Sequence, residues 1–434
     1  DWRRIAAPPY DRARRCAARS VRDGCVKVMA LRVLFVTPYL PHPANFGGAR
    51  RMDALIGEIA RLHDVTTVSL VAPGDDVDAA RAVLGPVIPV PVTLTARQPA
   101  GLAKRRKQAR SLISRSSFQY ALYVHRPLRE MLGRVVREQR IDLVQLEFSQ
   151  MGAYAESLPP GVASVLDIHN IEYDVLGQMA RSSSVGRRLF NQIEYRKFRG
   201  EEQAAWRRAT ICVVTSPDDA AVVQTVTGRI VPVIPNGVDT DVFTQVPLTE
   251  ADPLSIVFVG AMRYRPNAEA ARWFAMDVLP EIRRRLLGAR CAIEGADPPL
   301  DAAALAALPG VTVAGTVPDV RPWLAQAGTV VVPLRAGGGT RLKILEAFAA
   351  GRPVVATTLG AAGLDVRDGQ HLLIADSAPD LANAVYRVAT NRTLGRQLVE
   401  NARDLVLHRY RWQAIADRLA LVYDRIVREP ADTR

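Results

Sequence analysis

Residues 330–346 read Val330-Val331-Val332-Pro333-Leu334-Arg335-Ala336-Gly337-Gly338-Gly339-Thr340-Arg341-Leu342-Lys343-Ile344-Leu345-Glu346. A short apolar run passes through a glycine turn into an amphipathic stretch. The same unit recurs on both sides, with apolar runs at 256–259, 289–293 and 311–314 before it and 354–356 after it. Further upstream, runs at 31–36, 65–71, 87–92, 141–146, 162–168 and 211–215 also alternate with stretches of helical period. Continuous apolar runs separated by helices are the mark of a parallel sheet covered on both faces. Ser216-Pro217-Asp218-Asp219 after the sixth run reads as a helix start, with Ser as cap, Pro at the first helical position and acid in the first turn.

The alternation pauses once, between residues 231 and 253, where Pro, Asn, Gly and Asp dominate. The fold class is therefore α/β, with two Rossmann-like doubly wound domains. The expected organisation is a basic disordered leader at 1–28, a first domain at 29–235 and a linker at 236–253. A second domain follows at 254–410 and a terminal helix at 411–434, for which a return to the first domain stays open. Met29 directly precedes the first strand, so the leader reads either as a native tail or as residues upstream of a true start.

The chain has 434 residues, about two domains' worth, and no apolar run approaches the roughly 18 residues needed to span a membrane. Cys16, Cys25, Cys212 and Cys291 form no CxxC pair, and the latter two lie in apolar runs. Buried reduced thiols in a cytoplasmic protein fit this better than disulfides or a zinc site. The 57 basic and 44 acidic residues leave a formal charge of +13, which suits anionic partners. Residues 101–140 interleave Lys104, Arg105, Arg106, Lys107 and Arg110 with Phe118, Tyr120, Leu122 and Tyr123. That mixture fits either helices with a solvated basic face or contact with an anionic membrane surface; a nucleic-acid partner is not expected.

Ligands of open parallel sheets bind beyond the carboxyl ends of the strands. The glycine triplet after 330–332 lets backbone approach a ligand, and free amides at the following helix start attract anions. Arg341 and Lys343 stand there against the helix dipole, a penalty that a bound anion removes. Glu346, three residues on, is placed to accept from ribose hydroxyls. Gly47, Gly48 and Arg50 after the first strand resemble a phosphate or sugar loop without the full GxGxxG pattern. His169 sits in Asp167-Ile168-His169-Asn170-Ile171-Glu172 at another strand end, with Glu147, Asn170 and Glu172 as acceptor-side candidates. Arg263 follows the second domain's first strand. Neither a DxD pair nor a histidine cluster with metal spacing stands where phosphates would bind, so no metal site and no cofactor are expected.

These residues resemble family 4 glycosyltransferases of the GT-B fold, over roughly 31–427. The resemblance rests on Ile234-Pro235-Asn236-Gly237-Val238-Asp239, on Gly315-Thr316-Val317-Pro318-Asp319-Val320 and on the stretch from Leu345 to Val355. It implies a metal-independent, retaining transferase of the hexosyl type, with the donor in a cleft between an acceptor-side first domain and a nucleotide-sugar-binding second domain. Sugar would pass from a nucleoside-diphosphate sugar to a hydroxyl acceptor, with a lipid-linked one among the options. The setting would be polysaccharide, glycolipid or other glycoconjugate synthesis, in the cytoplasm or at the inner face of the membrane. The loop looks closest to sugar transferases of bacterial exopolysaccharide clusters.

By this resemblance the diphosphate leaves by front-side displacement into a clamp of Arg263, Arg341, Lys343 and the amides of Gly338, Gly339 and Thr340. Glu346 meets the ribose, Val317 the base and His169 the sugar, while Gly47, Gly48 and Arg50 close over it. Of the family's two glutamates eight positions apart, the second matches Glu346 and the first falls at Gly338. No lysine follows Arg263 at the family's usual place. A sugar-nucleotide 2-epimerase and a non-catalytic nucleotide-sugar-binding module remain as alternatives.

Overall fold

The computed structural model describes residues 30–44, 47–92, 101–181, 185–247, 251–262, 264–295, 302–317, 319–336 and 341–428, with the backbone of 19–20 and 27–28. The chain divides into two units, Asp1–Pro235 with Ile415–Arg434, and Asn236–Ala414. In the leader, expected to carry no strand, β1 (Arg19–Ser20) and β2 (Lys27–Val28) pair antiparallel.

The first unit holds β3 (Arg32–Thr37), β4 (Asp64–Val71), β5 (Val87–Pro91), β6 (Leu143–Glu147), β7 (Ala163–Ile168) and β8 (Ile211–Val214), all parallel and in the order β5-β4-β3-β6-β7-β8. The second repeats the arrangement with β9 (Asp252–Val259), β10 (Arg290–Glu294), β11 (Val311–Gly315), β12 (Ala327–Val332), β13 (Val354–Ala356) and β14 (Leu373–Ile374), in the order β11-β10-β9-β12-β13-β14. Each sheet reverses its order beside its first strand, at β3/β6 and β9/β12, the position where such sheets open a crevice for ligands. Eleven of these strands were legible as apolar runs; β14, two residues long, is too short to stand out from its surroundings.

Helices bury one apolar stripe each against these sheets. Gly47–Ile59 buries Ala49, Arg51, Met52, Leu55, Ile56 and Ile59. Val185–Arg208 brings Trp206 to zero exposure, its indole N–H donating to Ser149 Oγ at 3.2 Å. The helix Pro217–Thr227 starts as the sequence reads, with Ser216 Oγ accepting from Asp219 N at 3.2 Å, and Gly228 ends it at φ 69°. Trp412–Arg428 straddles the division between units, and from Ile415 onward it packs in the first, its Tyr423 ring 5.8 Å from that of His63.

The stretch read as linker is, over residues 236–247, integral to the second unit. Val238 and Val246 join its core and Val238 N donates to Tyr410 O at 2.8 Å. A Cβ at Gly237 would lie 2.7 Å from the Trp412 ring, so only glycine lets the chain pass there.

Residues 101–140 form the helices Gly101–Ile113, Tyr120–Tyr123 and Arg126–Glu138. Carboxylates of Val185–Arg208 hold their junction: Glu194 accepts from Ser111 Oγ at 2.9 Å and Glu201 from Ser117 N at 3.0 Å. Tyr120 and Leu122 are core residues, while Arg105, Arg106, Arg110 and the apolar Leu102, Leu112 and Ile113 are exposed. Among the described residues, no helix is long and apolar enough to cross a membrane. Cys212 and Cys291 are buried free thiols, and desolvation pushes each up to about 12; Cys16 and Cys25 lie outside the described residues.

Replacing Ser216 by Ala removes the cap of Pro217–Thr227. The expected loss is about 1 kcal/mol in the unfolding free energy of the first unit, read by urea denaturation; an unchanged midpoint would show that the cap contributes nothing.

Candidate functional site

In the first unit, sheet register sets the chemistry. β6 and β7 end side by side with Glu147 opposite Asp167, which brings two carboxyl groups together at the carboxyl edge with zero exposure. Arg51 resolves the resulting repulsion. Its position on Gly47–Ile59 lies four and eight residues before Leu55 and Ile59, on the stripe that faces the sheet. From there its Nε and Nη2 donate to the two oxygens of Asp167, both at 3.0 Å, and its Nη1 donates to Pro235 O at 3.0 Å. Burial still drives Asp167 above its ordinary value, opposed by Arg51.

Glu147 has both oxygens engaged: Gln145 Nε2 donates to Oε1 at 2.6 Å and Oε2 meets His169 Nε2 at 2.8 Å. Tyr423 of the terminal helix in turn donates its hydroxyl to Gln145 Oε1. Burial raises Glu147 to about 7 and lowers His169 to about 3, so the imidazole is neutral at physiological pH. Phe148 stacks on His169 with centroids 3.8 Å apart and 29° between planes, and takes φ 70° to do so. A non-glycine residue held there records a local constraint imposed by its surroundings. A Cβ at Gly48 would lie 2.7 Å from both the Phe148 ring and Tyr39 Oη, so Gly48 makes room for this stack.

The sequence candidates of this unit thus separate. Glu147 and His169 come together, but Glu147 is sealed behind His169 and offers no surface to an acceptor. Arg50 is exposed and donates to Ala44 O at 3.4 Å, and the buried cation is its neighbour Arg51. Asn170 and Glu172 lie on the loop beyond β7 and at the start of Glu172–Arg181; burial lifts Glu172 to about 7 against a hydrogen bond from Asn170. That helix start is closed by Glu202, which accepts from Glu172 N at 3.1 Å and Tyr173 N at 2.9 Å. Donor atoms of Glu147, Asp167 and His169 lie within 4.8 Å of one another, as metal ligands do, and here the Arg51 guanidinium takes the cation's place.

The second unit carries cations where the first carries carboxylates. The helix Leu342–Ala349 begins beside the switch point, with Arg341 at its cap and Lys343 in its first turn. Lys343 Nζ donates to Asn267 Oδ1 at 2.9 Å and stands 4.9 Å from the centroid of Phe258. Glycine at 260 leaves room for this pair, since a Cβ there would come within 2.8 Å of both Lys343 Nζ and Asn267. Burial, reinforced by the charge of Arg341 and opposed by Glu346, brings Lys343 down to about 7. Arg341 is lowered as well, by burial first, with Tyr264 acting in the other direction. Glu346, one turn further, is 8% exposed. Val317 lies half-buried just past β11. Glu294 at the end of β10 is wholly buried, raised to about 8, and neither of its carboxyl oxygens has a hydrogen-bond partner among the described residues. Arg263, Gly338, Gly339 and Thr340 lie outside the described residues.

Sequence reasoning missed Arg51, Asp167, Gln145 and Tyr423 as parts of the first constellation and Asn267 as the partner of Lys343. Arg51 had a signal, an arginine on the apolar face of a helix. The others become visible only when strand register and the terminal helix bring distant positions together.

Comparison with known proteins agrees with this architecture. Residues 47–242 match the family described as Glycosyltransferase Family 4, and residues 253–391 match Glycosyl transferases group 1. A phosphatidyl-myo-inositol mannosyltransferase of Mycobacterium tuberculosis is 30% identical over 210 residues, 44% of this chain and 53% of that protein. Its Mycobacterium leprae counterpart is 28% identical over 202 residues, with the same coverage. The chain thus spans about half the length of these relatives. Among solved structures, sucrose-phosphate synthase from Thermosynechococcus elongatus superposes with a TM-score of 0.65 at 17% identity, over 91% of this chain and 99% of that one. Anabaena HepE in complex with UDP-glucose gives 0.61 at 15%, over 91% and 100%. WaaG, a glycosyltransferase involved in lipopolysaccharide biosynthesis, gives 0.60 at 17%, over 90% and 99%. At these identities the structural likeness speaks for the GT-B fold.

Replacing Arg51 by Met leaves Asp167 buried without its cation and is expected to cost about 3–5 kcal/mol near neutral pH. Asp167 has a folded-state value above its unfolded one, and losing the guanidinium raises it further, so this loss should shrink as pH falls and the folded-state carboxyl takes up a proton. Denaturant unfolding at pH 7.5 and pH 5 checks both points; an equal loss at both would mean the guanidinium acts through packing alone.

Proposed function

Because this chain belongs to glycosyltransferase family 4, we propose that it transfers a sugar from a nucleoside-diphosphate sugar to a hydroxyl acceptor, with retention of anomeric configuration. The supporting observation is the pair of cations at the carboxyl edge of the second sheet, Arg341 buried and Lys343 half-buried. Lys343 has a neutral amide for its hydrogen bond and a second cation, Arg341, beside it, and desolvation lowers it to about 7. A diphosphate leaving group, with negative charge that grows as the sugar departs, is the chemistry such a site stabilises. The positive charge comes from the protein's own side chains, so in this reading the leaving group requires no metal ion.

Glu346 then meets the ribose and Val317 the base, with Arg263 and the amides of Gly338, Gly339 and Thr340 completing the anion site. On the first unit His169 contacts the donor sugar, with Gly47, Gly48 and Arg50 near it. The leaving diphosphate oxygen takes the acceptor's proton as the new bond forms on the same face. The relatives act on a phosphatidyl-myo-inositol, and here Arg105, Arg106 and Arg110 are exposed together with Leu102, Leu112 and Ile113. That surface supports a glycolipid or polysaccharide precursor as acceptor, met at an anionic membrane face on the cytoplasmic side.

A panel of GDP- and UDP-sugars tests the reading by thermal stabilisation. A donor at about 100 times its Kd should add roughly 2.7 kcal/mol to stability, and no response from any member would overturn the assignment. Binding should also take up a proton at pH 8, because free Lys343 is largely neutral above about 7 and the diphosphate favours its charged form. Affinity should accordingly fall as pH rises from 7. Calorimetry in two buffers of different ionisation enthalpy reads the uptake, which Lys343→Met should abolish. Turnover of Lys343→Ala should fall on the order of 10²-fold, and unchanged turnover would reject its role.

A further inference from the structure

The contact between Glu147 and His169 has a chemical direction. His169 Nε2 faces a carboxylate oxygen at 2.8 Å, and its Nδ1 makes no hydrogen bond among the described residues. Phe148 stacked on the ring at 3.8 Å and the Nε2 contact with Glu147 leave the imidazole little freedom to turn, while Thr215 Oγ1, donating to His169 O at 3.2 Å, fixes the backbone beneath it. In a neutral imidazole one nitrogen donates and the other accepts, so whatever Nε2 does fixes the opposite property at Nδ1. We propose that Glu147 is a positioning residue which, by its own ionisation, sets the tautomer of His169 and so the hydrogen-bonding property that Nδ1 offers to the donor sugar. This rests on the reading of His169 as a sugar contact.

Two states follow, differing by one proton. With Glu147 ionised, the imidazole keeps its proton on Nε2 and donates it to the carboxylate, and Nδ1 presents a lone pair. With Glu147 protonated, the carboxyl donates to Nε2 and the imidazole proton resides on Nδ1. In neither state is the imidazole a cation, in line with burial lowering His169 to about 3. Burial raises Glu147 to about 7, which puts the exchange near neutrality. The groups that face Glu147 are few. Gln145 lies beside it on β6 and Asp167 opposite on β7, with Arg51 from Gly47–Ile59; Tyr423 of the terminal helix reaches it through Gln145 and has His63 as ring neighbour. Arg51 is bound to Asp167 on two atoms, so the charge that changes in this constellation near pH 7 is that of Glu147.

The ionised state is the productive one. As the diphosphate leaves, the sugar's anomeric carbon becomes cation-like, and a negative Glu147–imidazole pair stabilises that charge while Nδ1 accepts from a sugar hydroxyl. The rate should therefore rise with pH through a single titration near 7, chiefly in kcat. Glu147→Gln, of the same shape, removes the ionisation and should hold one tautomer at every pH, with a lower kcat at pH 8 and no rising limb.

Nitrogen-15 spectra of the histidine-labelled protein between pH 5.5 and 9, with His169 assigned from the His169→Gln variant, test this without substrate. The expected result is a tautomer exchange of His169 with a midpoint near 7 and no imidazolium, absent in Glu147→Gln. A pH-independent His169 in the wild type, or the same midpoint in Glu147→Gln, would overturn the proposal. Activity separates it from the reading beneath it. If His169→Gln leaves kcat and KM unchanged, His169 is not a sugar contact whatever its tautomer; if His169→Gln is impaired while Glu147→Gln keeps the wild-type pH profile, the contact stands and the positioning role falls.

Discussion

A guanidinium held at 1% exposure against the Asp167 carboxylate governs the first unit. Parallel register places Glu147 directly opposite Asp167, and two buried acids so close cannot both ionise without a cation beside them. Arg51 neutralises Asp167 with paired hydrogen bonds and leaves Glu147 as the group near its titration point. The same side chain fastens Pro235 O, the last residue of the unit before the chain passes into the second. Removing either partner leaves an isolated buried charge, so the pair specifies an arrangement more than it adds stability.

The second unit solves the opposite problem. Its cations stand against the dipole at the start of Leu342–Ala349, where Lys343 is held by an amide, a phenyl face and a glycine that leaves space for the ammonium. A lysine in such surroundings gives up its proton readily, and it regains it when an anion arrives. Acids stand at the strand ends of one sheet and cations at the helix start beyond a strand of the other.

Much of the fold was legible because buried parallel strands must be continuous apolar runs, and eleven of the twelve strands in the two six-stranded sheets announce themselves that way. The Ser216 cap, the basic helix start with Arg341 and Lys343, and His169 at a strand end were legible for the same reason: local rules place them. What escaped was non-local. Arg51 was passed over for Arg50, although the 3.6-residue period puts Arg51 on the buried stripe and Arg50 in solvent. Glu147 read as a group facing an acceptor because a strand end usually faces the ligand, and register against β7 instead sealed it behind His169. Tyr423, 278 positions from Gln145, could not be paired with it from any local pattern.

Where a donor's diphosphate lies decides the role of Lys343 and Arg341. A crystal structure of the protein with a bound nucleotide sugar measures it directly. Phosphate oxygens are expected within hydrogen-bond distance of Lys343 Nζ and the Arg341 guanidinium, with Asn267 displaced or sharing the ammonium. A diphosphate bound elsewhere, with the Lys343–Asn267 bond unchanged, would contradict that role.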